Sequence, residues 1–570
     1  MYAEKAYAYV SKKKDKLFDD FDFDGGVPEY IAAPYILAYG RFEFYTFVFS
    51  NIVGAATAKF FPFLVTDFVY DTGFFFYNNL LLAIIGLPLI GACALFFIPP
   101  EQKHILKLCA FVFAVVSFFT SVLALGFFDL SSEEFQFLYQ LQPFEEVGFF
   151  RFIIGVDGLS ILLITLTNFL FALCFWFHLT EKNVNFIKEQ CVVFFLLQFS
   201  ILMAFVALDV VLFYLFFEAS LVPLFLFIGI WGSRERKVYA AYKMFFYTLV
   251  GSMPTLVGLL LLLFMAETSD LTYIANINFD LTVQKLIWAL LFLSFAVKLP
   301  MVPVHLWLPE AHVEATTTGS VILAGILLKL GGYGFFRFLL TLFPNASVFF
   351  APFIFLLSLF AIIFASLVAL RQIDMKKIIA YSSIAHMGFI SLGFICLDSS
   401  GVYGAFFILL SHGFISAGLF FCAGILYSRY KTKLIHYFSS FASVMPIFSL
   451  FFSLFVFGNI GLPSTSGFVG EFFVFVSLTQ VGLFTAFFAV FGVVLVVCYS
   501  LWLYNRVCFG HLSTKYIAFY QDINEHEFII MLLLVAPVFV FGLTPQLLFD
   551  FFDFFARQLI VDFFLFEITA

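Results

Sequence analysis

The chain has 570 residues, of which 63% are hydrophobic and 12% charged, about half the charged share of an ordinary soluble domain. A soluble cofactor fold and a nucleic-acid partner are thereby excluded, and membrane lipid becomes the expected surrounding. The net charge of −8 adds little, because the charges lie between apolar blocks, and those blocks run unbroken for about 20 residues where a barrel would alternate in segments of about ten.

Residues 1–77 open with a lysine cluster (Lys12, Lys13, Lys14, Lys16) and an acidic patch (Asp19, Asp20, Asp22, Asp24), followed by aromatic-rich sequence broken by Pro28, Pro34 and Pro62. This layout fits neither a signal peptide nor a transit peptide, and it reads as a surface or interfacial extension. From residue 78 the hydropathy predicts fourteen spans, near 78–98, 104–126, 157–179, 190–207, 209–231, 239–265, 284–308, 315–341, 349–370, 377–397, 401–427, 441–478, 481–506 and 528–550. The fold class is therefore an all-α polytopic membrane protein, its transmembrane domain at 78–550 and a C-terminal tail at 551–570. Two spans carry breakers, KLPMVP (298–303) in the seventh and GNIGLPSTSG (458–467) in the twelfth. Broken helices five spans apart suggest inverted five-helix repeats over spans 4–8 and 9–13, about residues 190–341 and 349–506.

Loop charges support the span count. Connections leaving odd-numbered spans carry sixteen Lys or Arg, among them Lys103, Lys182, Arg234, Lys243, Lys376, Lys433 and Lys515, whereas those leaving even-numbered spans carry only Arg151, Lys285 and Arg337. The positive-inside bias then places both termini on the face opposite the basic loops, and only the N-terminal lysines run against it.

Setting loop and terminal charges aside leaves Lys298, Lys329, Glu218 and Glu471 near the middle of spans. Each costs roughly 2.5–3.5 kcal/mol on insertion scales, so each is expected to face a bundle interior, a partner or water. Pro300 and Pro303 should free carbonyls beside Lys298 and give its ammonium acceptors and room for water. Lys329 lies mid-span after Gly319, Ser320, Ala324 and Gly325, which allow a close neighbouring helix. Glu218, before Pro223, is the natural ion partner for a lysine on another helix, and Glu471 follows the twelfth-span break. His412, His386, His305 and His312 are candidates for proton relay or polar lining, since imidazole titrates near neutrality. Snorkelling lysines, helix-locking carboxylates and satisfied packing histidines are the plainer alternatives. The eight cysteines form no CxxC pair and no metal-ligand spacing, so no metal is expected. The glycine runs fall inside apolar helices and cannot form a dinucleotide fingerprint.

Several long stretches carry a specific resemblance: 295–338 (FAVKLPMVPVHLWLPEAHVEATTTGSVILAGILLKLGGYGFFRF), 216–232 (FFEASLVPLFLFIGIWG), 382–389 (SSIAHMGF), 411–421 (SHGFISAGLFF) and 461–472 (GLPSTSGFVGEF). Together they resemble the antiporter-like membrane subunits of respiratory complex I, and within them the subunit-four branch. What the resemblance implies is a seventh-helix lysine (Lys298) paired with a fifth-helix glutamate (Glu218), a lysine on the eighth helix (Lys329), and Glu471 where other branches carry Lys. Thr316 and Thr318 depart from the usual Pro and Ala, and residues 1–77 match nothing in the pattern.

The resemblance further implies a proton-translocating subunit of an NADH:ubiquinone oxidoreductase. Its partners would be other membrane-arm subunits and lipid, and NADH, FMN, iron–sulfur clusters and ubiquinone would sit in other chains. It also implies the mitochondrial inner membrane, to which the 93 Phe add a compositional hint of an AT-rich organellar genome; a bacterial inner membrane is the fallback. Two rivals stay open: an Mrp-type cation/proton antiporter subunit, and a purely structural membrane chain whose buried charges lock helices together.

Overall fold

The computed structural model describes residues 68–132, 134–141, 152–180, 186–512 and 520–553. The expected surface role of the N-terminal extension lies outside the described residues up to 67, as do loop charges Arg151, Lys182 and Lys515 and the tail from 554. The chain divides into Met1–Tyr77 and Asn78–Ala570.

Among the described residues, thirteen helices are long and apolar enough to cross a membrane, from Asn79–Phe96 to Glu525–Leu543. The remaining crossing, twelfth in order, is a pair of half-helices, Pro446–Ile460 and Ser466–Val481. The chain is thus a multi-pass membrane protein with the span order expected from hydropathy. One feature departs from an all-helical reading. Between the second and third crossings, Gln136–Leu141 and Phe152–Val156 pair as an antiparallel hairpin, and Ile154 forms a further bridge to Ala207. Strands of six and five residues give too short a signal to stand out beside spans of about twenty.

Burial sorts the crossings into a centre and a rim. The eighth (Thr317–Leu340) and eleventh (Ser399–Tyr430) are buried along their whole apolar length, and the tenth (Met375–Ile395) nearly so. The second (Lys103–Phe127) and sixth (Lys237–Ala266) turn residues such as Phe119, Leu260 and Phe264 outward. Helices in lipid associate through close packing, not through hydrophobic exclusion, so small residues mark the centre. Gly331 shows this at one position: a Cβ there would lie 2.9 Å from both the Lys298 carbonyl carbon and the Leu299 nitrogen. Glycine lets the eighth crossing press directly on the backbone of the seventh at its break.

Besides the twelfth, three crossings among the described residues lose regular helix. The seventh stops at Lys298 (Leu281–Lys298) and resumes at Trp307–Glu314. The fifth is interrupted at Ser220, between Val210–Ala219 and Leu221–Trp231, because Pro223 has no N–H to offer the turn before it. The eighth contains two π-helical turns, Leu323–Leu327 and Phe335–Leu340. Thr316 caps the start of the eighth by accepting a hydrogen bond from the Gly319 N–H at 3.2 Å, a role that Ser, Thr, Asp and Asn fill well.

Candidate proton-transfer site

The four mid-span charges fall into two clusters. In the first, Lys298 Nζ lies 3.9 Å from Glu218 Oε1 and donates a 2.6 Å hydrogen bond to the Phe217 carbonyl. That carbonyl ends the first half of the fifth crossing and also accepts from Ser220 Oγ at 2.9 Å. The expectation that the freed carbonyls of the seventh crossing would serve Lys298 is corrected here. Of the two carbonyls expected to be freed, at Ala296 and Leu299, that of Ala296 accepts from the Met301 N–H, and the ammonium instead reaches across to the break in its neighbour. Glu218 Oε1 has no hydrogen-bond partner among the described residues, while the Ser252 hydroxyl lies within hydrogen-bonding reach of the carboxylate.

The second cluster is a series. Lys329 Nζ donates to the Ala324 carbonyl at 2.7 Å and contacts His412 Nδ1 at 2.8 Å. Ala324 lies in the first π-turn, where the ladder shifts from i+4 partners and a carbonyl is turned aside for another donor; such bulges recur at functional sites. With Lys329 as the ammonium, His412 Nδ1 must accept, which puts the imidazole proton on Nε2. The rings of His412 and His386 have centroids 5.6 Å apart. His386 Nδ1 lies 3.4 Å from Glu471 Oε1, and its Nε2 lies 3.1 Å from Asn459 Oδ1. Asn459 in turn donates to Ser500 Oγ at 3.1 Å. Glu471 folds back over the break in the twelfth crossing: Gly461 takes φ +75° there, and a Cβ on it would stand 2.8 Å from Glu471 Oε2. A side chain at position 461 would crowd the carboxylate as well as strain the backbone.

Beside this end of the series lies a cavity of about 10 Å³, lined in part by Ser382, Asn459, Tyr499 and Ser500. That is room for about one water with several polar partners. The Tyr499 hydroxyl is buried there, facing Asn459, Ser382 and Ser500.

His305 and His312 are both buried; among the described residues neither nitrogen of the His312 ring makes a hydrogen bond, while the His305 ring lies beside the Pro303 backbone. His305 sits on the seventh-crossing break against Phe364 and Tyr381, within the field of Lys243, which pairs with Glu310 at 2.9 Å. His312 stacks flat on Phe420 at 4.6 Å, within the fields of Lys376 and Lys329. Neither makes direct contact with the four charges.

Counting mid-span charges from hydropathy missed several buried groups. Arg337, assigned to a loop, is buried in the second π-turn and pairs with Asp157 at the start of the third crossing. Lys376 and Lys433, also assigned to loops, are 1% and 3% exposed. Both close over the end of the seventh crossing: Lys433 donates to the Val313 carbonyl and to Ser233 Oγ, and Lys376 to the Ala315 carbonyl at 2.9 Å. Burial pulls the Lys433 amine down to about 8, against the opposing pull of Glu314. Position relative to an apolar block could not reveal these, since one turn of helix separates a solvated lysine from a buried one. Among the described residues, no group of three His, Cys, Asp or Glu side chains is placed to share a metal ion.

Residues 207–496 match the family described as NADH:quinone oxidoreductase/Mrp antiporter, TM. The NADH-ubiquinone oxidoreductase chain 4 of Chondrus crispus is 45% identical over 470 residues, covering 82% of this chain and 95% of that one. The NADH-quinone oxidoreductase subunit M of Rhodobacter capsulatus is 43% identical over 493 residues, covering 83% and 94%. Among solved structures, a chain of respiratory complex I from Thermus thermophilus superposes with TM-score 0.76 at 24% identity, covering 84% of this chain and 99% of that one. A chain of the Mrp complex from Dietzia sp. superposes with TM-score 0.74 at 19% identity, covering 85% and 97%. The shared fold and the extent of the sequence match make this chain a member of the NADH:quinone oxidoreductase/Mrp antiporter transmembrane family.

Proposed function

We propose that this chain is the proton-translocating membrane-arm subunit of an NADH:ubiquinone oxidoreductase, seated beside related antiporter-like subunits and lipid in the mitochondrial inner membrane. The observation that carries the proposal is the run Lys329–His412–His386–Glu471, four ionisable side chains in sequence through the buried centre. The run passes from an amine through two imidazoles to a carboxylate, each able to hold or release a proton. His386 faces the Glu471 carboxylate through Nδ1, the side on which a proton can pass, while the Asn459 amide oxygen facing Nε2 orients the ring. Glu218–Lys298 forms the partner cluster, and His305 and His312 are relay or lining groups on the seventh crossing. The two broken crossings mark inverted repeats. The basic loops face the matrix, and both termini face the opposite side. Redox chemistry with NADH, FMN, iron–sulfur clusters and ubiquinone takes place in other chains.

Energetics permit the role. Moving one charge against 100 mV costs about 2.3 kcal/mol, the order of one to two pKa units of difference in proton affinity between two states. The test is proton transport per NADH oxidised in liposomes holding the assembled enzyme. Replacing Lys329 with Met should lower that ratio while assembly persists. An unchanged ratio refutes the relay, and a loss of assembly alone favours a structural chain. The likeness to the Mrp complex supports a second reading, cation/proton antiport, which predicts transport that requires Na⁺ or K⁺ and ignores NADH.

A further inference from the structure

Asn459 stands one residue from the end of the half-helix Pro446–Ile460, just before the break in the twelfth crossing, and is 5% exposed. The break does not need its side chain. The last turn closes on backbone alone, the Gly461 N–H donating to the Gly458 carbonyl at 3.2 Å and the Leu462 N–H to the Phe457 carbonyl at 3.1 Å, as helices that end on a left-handed glycine do. The Asn459 amide instead links two other crossings: Oδ1 lies 3.1 Å from His386 Nε2 on the tenth, and Nδ2 donates to Ser500 Oγ at 3.1 Å on the thirteenth.

On its opposite edge His386 meets Glu471, with Nδ1 3.4 Å from Oε1. An imidazole with an oxygen at each nitrogen has few satisfied forms. An amide oxygen only accepts, so Nε2 must carry a hydrogen. Nδ1 and Oε1 then have one proton to share: the imidazolium donates to the carboxylate, or the neutral ring accepts from the protonated acid. Once that proton leaves, a lone pair on Nδ1 faces a carboxylate. The ring cannot relieve this by carrying its remaining hydrogen on Nδ1, because the amide oxygen would then face a bare Nε2. The other titratable groups around the pair are His412 on the eleventh crossing, its ring centroid 5.6 Å from that of His386, Lys329 beyond it at 2.8 Å, and Tyr499 on the thirteenth, whose hydroxyl is within the field of Glu471. On the Trp307–Glu314 helix, His312 is felt at His412. The ninth crossing, Pro344–Leu370, packs on the tenth and carries no titratable side chain.

The geometry points to Asn459 as a positioning residue that sets the His386 tautomer, holding a hydrogen on Nε2 so that the exchangeable proton is confined to the edge shared by Nδ1 and Glu471. This rests on the reading of His386 and Glu471 as members of the proton relay. Asn459 thereby raises the affinity of the pair for that proton. With the proton present both ring nitrogens are satisfied; without it, the amide oxygen bars the tautomer in which a neutral His386 would donate to an ionised Glu471. The bond from Nδ2 to Ser500 keeps the oxygen on the histidine side. In transfer, the Nδ1–H bond breaks as the Oε1–H bond forms, so imidazolium and carboxylate become imidazole and acid; the Nε2 hydrogen stays in place and no electrons are exchanged.

Asn459→Leu and Asn459→Asp separate a tautomer-setting oxygen from a packing amide, since both replacements are close to asparagine in size and only the second keeps an oxygen facing Nε2. In liposomes bearing the assembled enzyme, protons transported per NADH are followed as the bulk pH is raised, and the pH at which the ratio falls to half is compared. Asn459→Leu should lower that pH by about one to two units, the size of a hydrogen bond to a charged group, whereas Asn459→Asp should leave it in place or raise it. An unmoved value in Asn459→Leu overturns the proposal, and so does an equal fall in both variants, which would mark disturbed packing. If either variant fails to assemble, Ser500→Ala decides: it frees the amide to turn and should also lower the value, and an unmoved one overturns the proposal. A reduced ratio at every pH in Lys329→Met beside an unmoved value in Asn459→Leu sinks the tautomer and spares the relay. Full transport in Lys329→Met sinks the relay itself.

Discussion

Replacing Glu218 with Gln removes a charge while keeping the shape, and its effect can be sized from the structure. At the observed 3.9 Å separation from Lys298, an effective dielectric constant near 20 gives an attraction of about 4 kcal/mol. The glutamine variant loses that attraction, while the Phe217 carbonyl continues to hold the ammonium at 2.6 Å. With little else holding its ammonium, Lys298 is freer to shift and becomes a much poorer holder of a proton. The lost 4 kcal/mol exceeds the roughly 2.3 kcal/mol needed to move a charge against 100 mV, so the cluster can no longer load against a membrane potential. The assay pairs NADH oxidation with proton uptake into liposomes, with assembly checked by native gel. Glu218→Gln should assemble, oxidise NADH, and transport fewer protons per NADH, with the deficit growing as the imposed potential rises. A ratio equal to the unmodified enzyme at all potentials would refute the electrostatic reasoning, because the pair would then contribute nothing to loading.

Three further outcomes follow from other contacts. Gly331→Ala puts a Cβ within 2.9 Å of backbone atoms at Lys298 and Leu299 and should destabilise by about 1–3 kcal/mol as an overpacked contact, read as a lower melting temperature in detergent. Asp157→Asn leaves the buried Arg337 charge without its carboxylate and should cost about 3–5 kcal/mol, seen as poor assembly, with an Asp157→Asn/Arg337→Met pair less damaging than Asp157→Asn alone. Lys433 titrates at about 8 when folded and near 10.4 when unfolded, so between those values the unfolded chain holds more protons. Stability should therefore rise as pH climbs from about 8 to 10.4, by on the order of 3 kcal/mol in all, and Lys433→Met should lose this part of the rise.

How far the sequence could be read depends on how far apart the interacting residues stand. Fourteen crossings and two breaks were legible because each rests on a run of about twenty residues or on a cluster of breakers, two prolines in KLPMVP and one proline among three glycines in GNIGLPSTSG. Lys298, Lys329, Glu218 and Glu471 were legible because a lone charge in such a run has few explanations. Their partners were harder to find. His412 and Lys329 are 83 residues apart in sequence, and His386 and Asn459 are 73 apart, so only the packing of the eighth, tenth, eleventh and twelfth crossings unites them. Asn459 gave no signal beyond membership of the GNIGLPSTSG break. Lys376 and Lys433 were hidden by their nearness to the ends of spans, and Arg337 by a π-turn that no residue preference announces.

The two clusters also raise the question of how one informs the other, since among the described residues no hydrogen bond or ion pair joins Lys298 to Lys329. The backbone supplies the link. Gly331, two residues beyond Lys329, rests against Lys298 and Leu299 where the seventh crossing stops being helical, and the π-turn that orients Lys329 begins six residues before it. A lysine at the end of a helix moves when its charge partner is neutralised, because little but the Phe217 carbonyl then holds its ammonium. Motion there presses on a crossing whose glycine leaves no side chain to absorb it, and whose π-turns can convert to α-helix by shifting one carbonyl partner. Such a shift would re-aim the Ala324 carbonyl, and with it the acceptor that holds Lys329 toward His412. Coupling of this kind needs two discrete arrangements of a packed element, and the π-turn is the place in this fold where both are within reach.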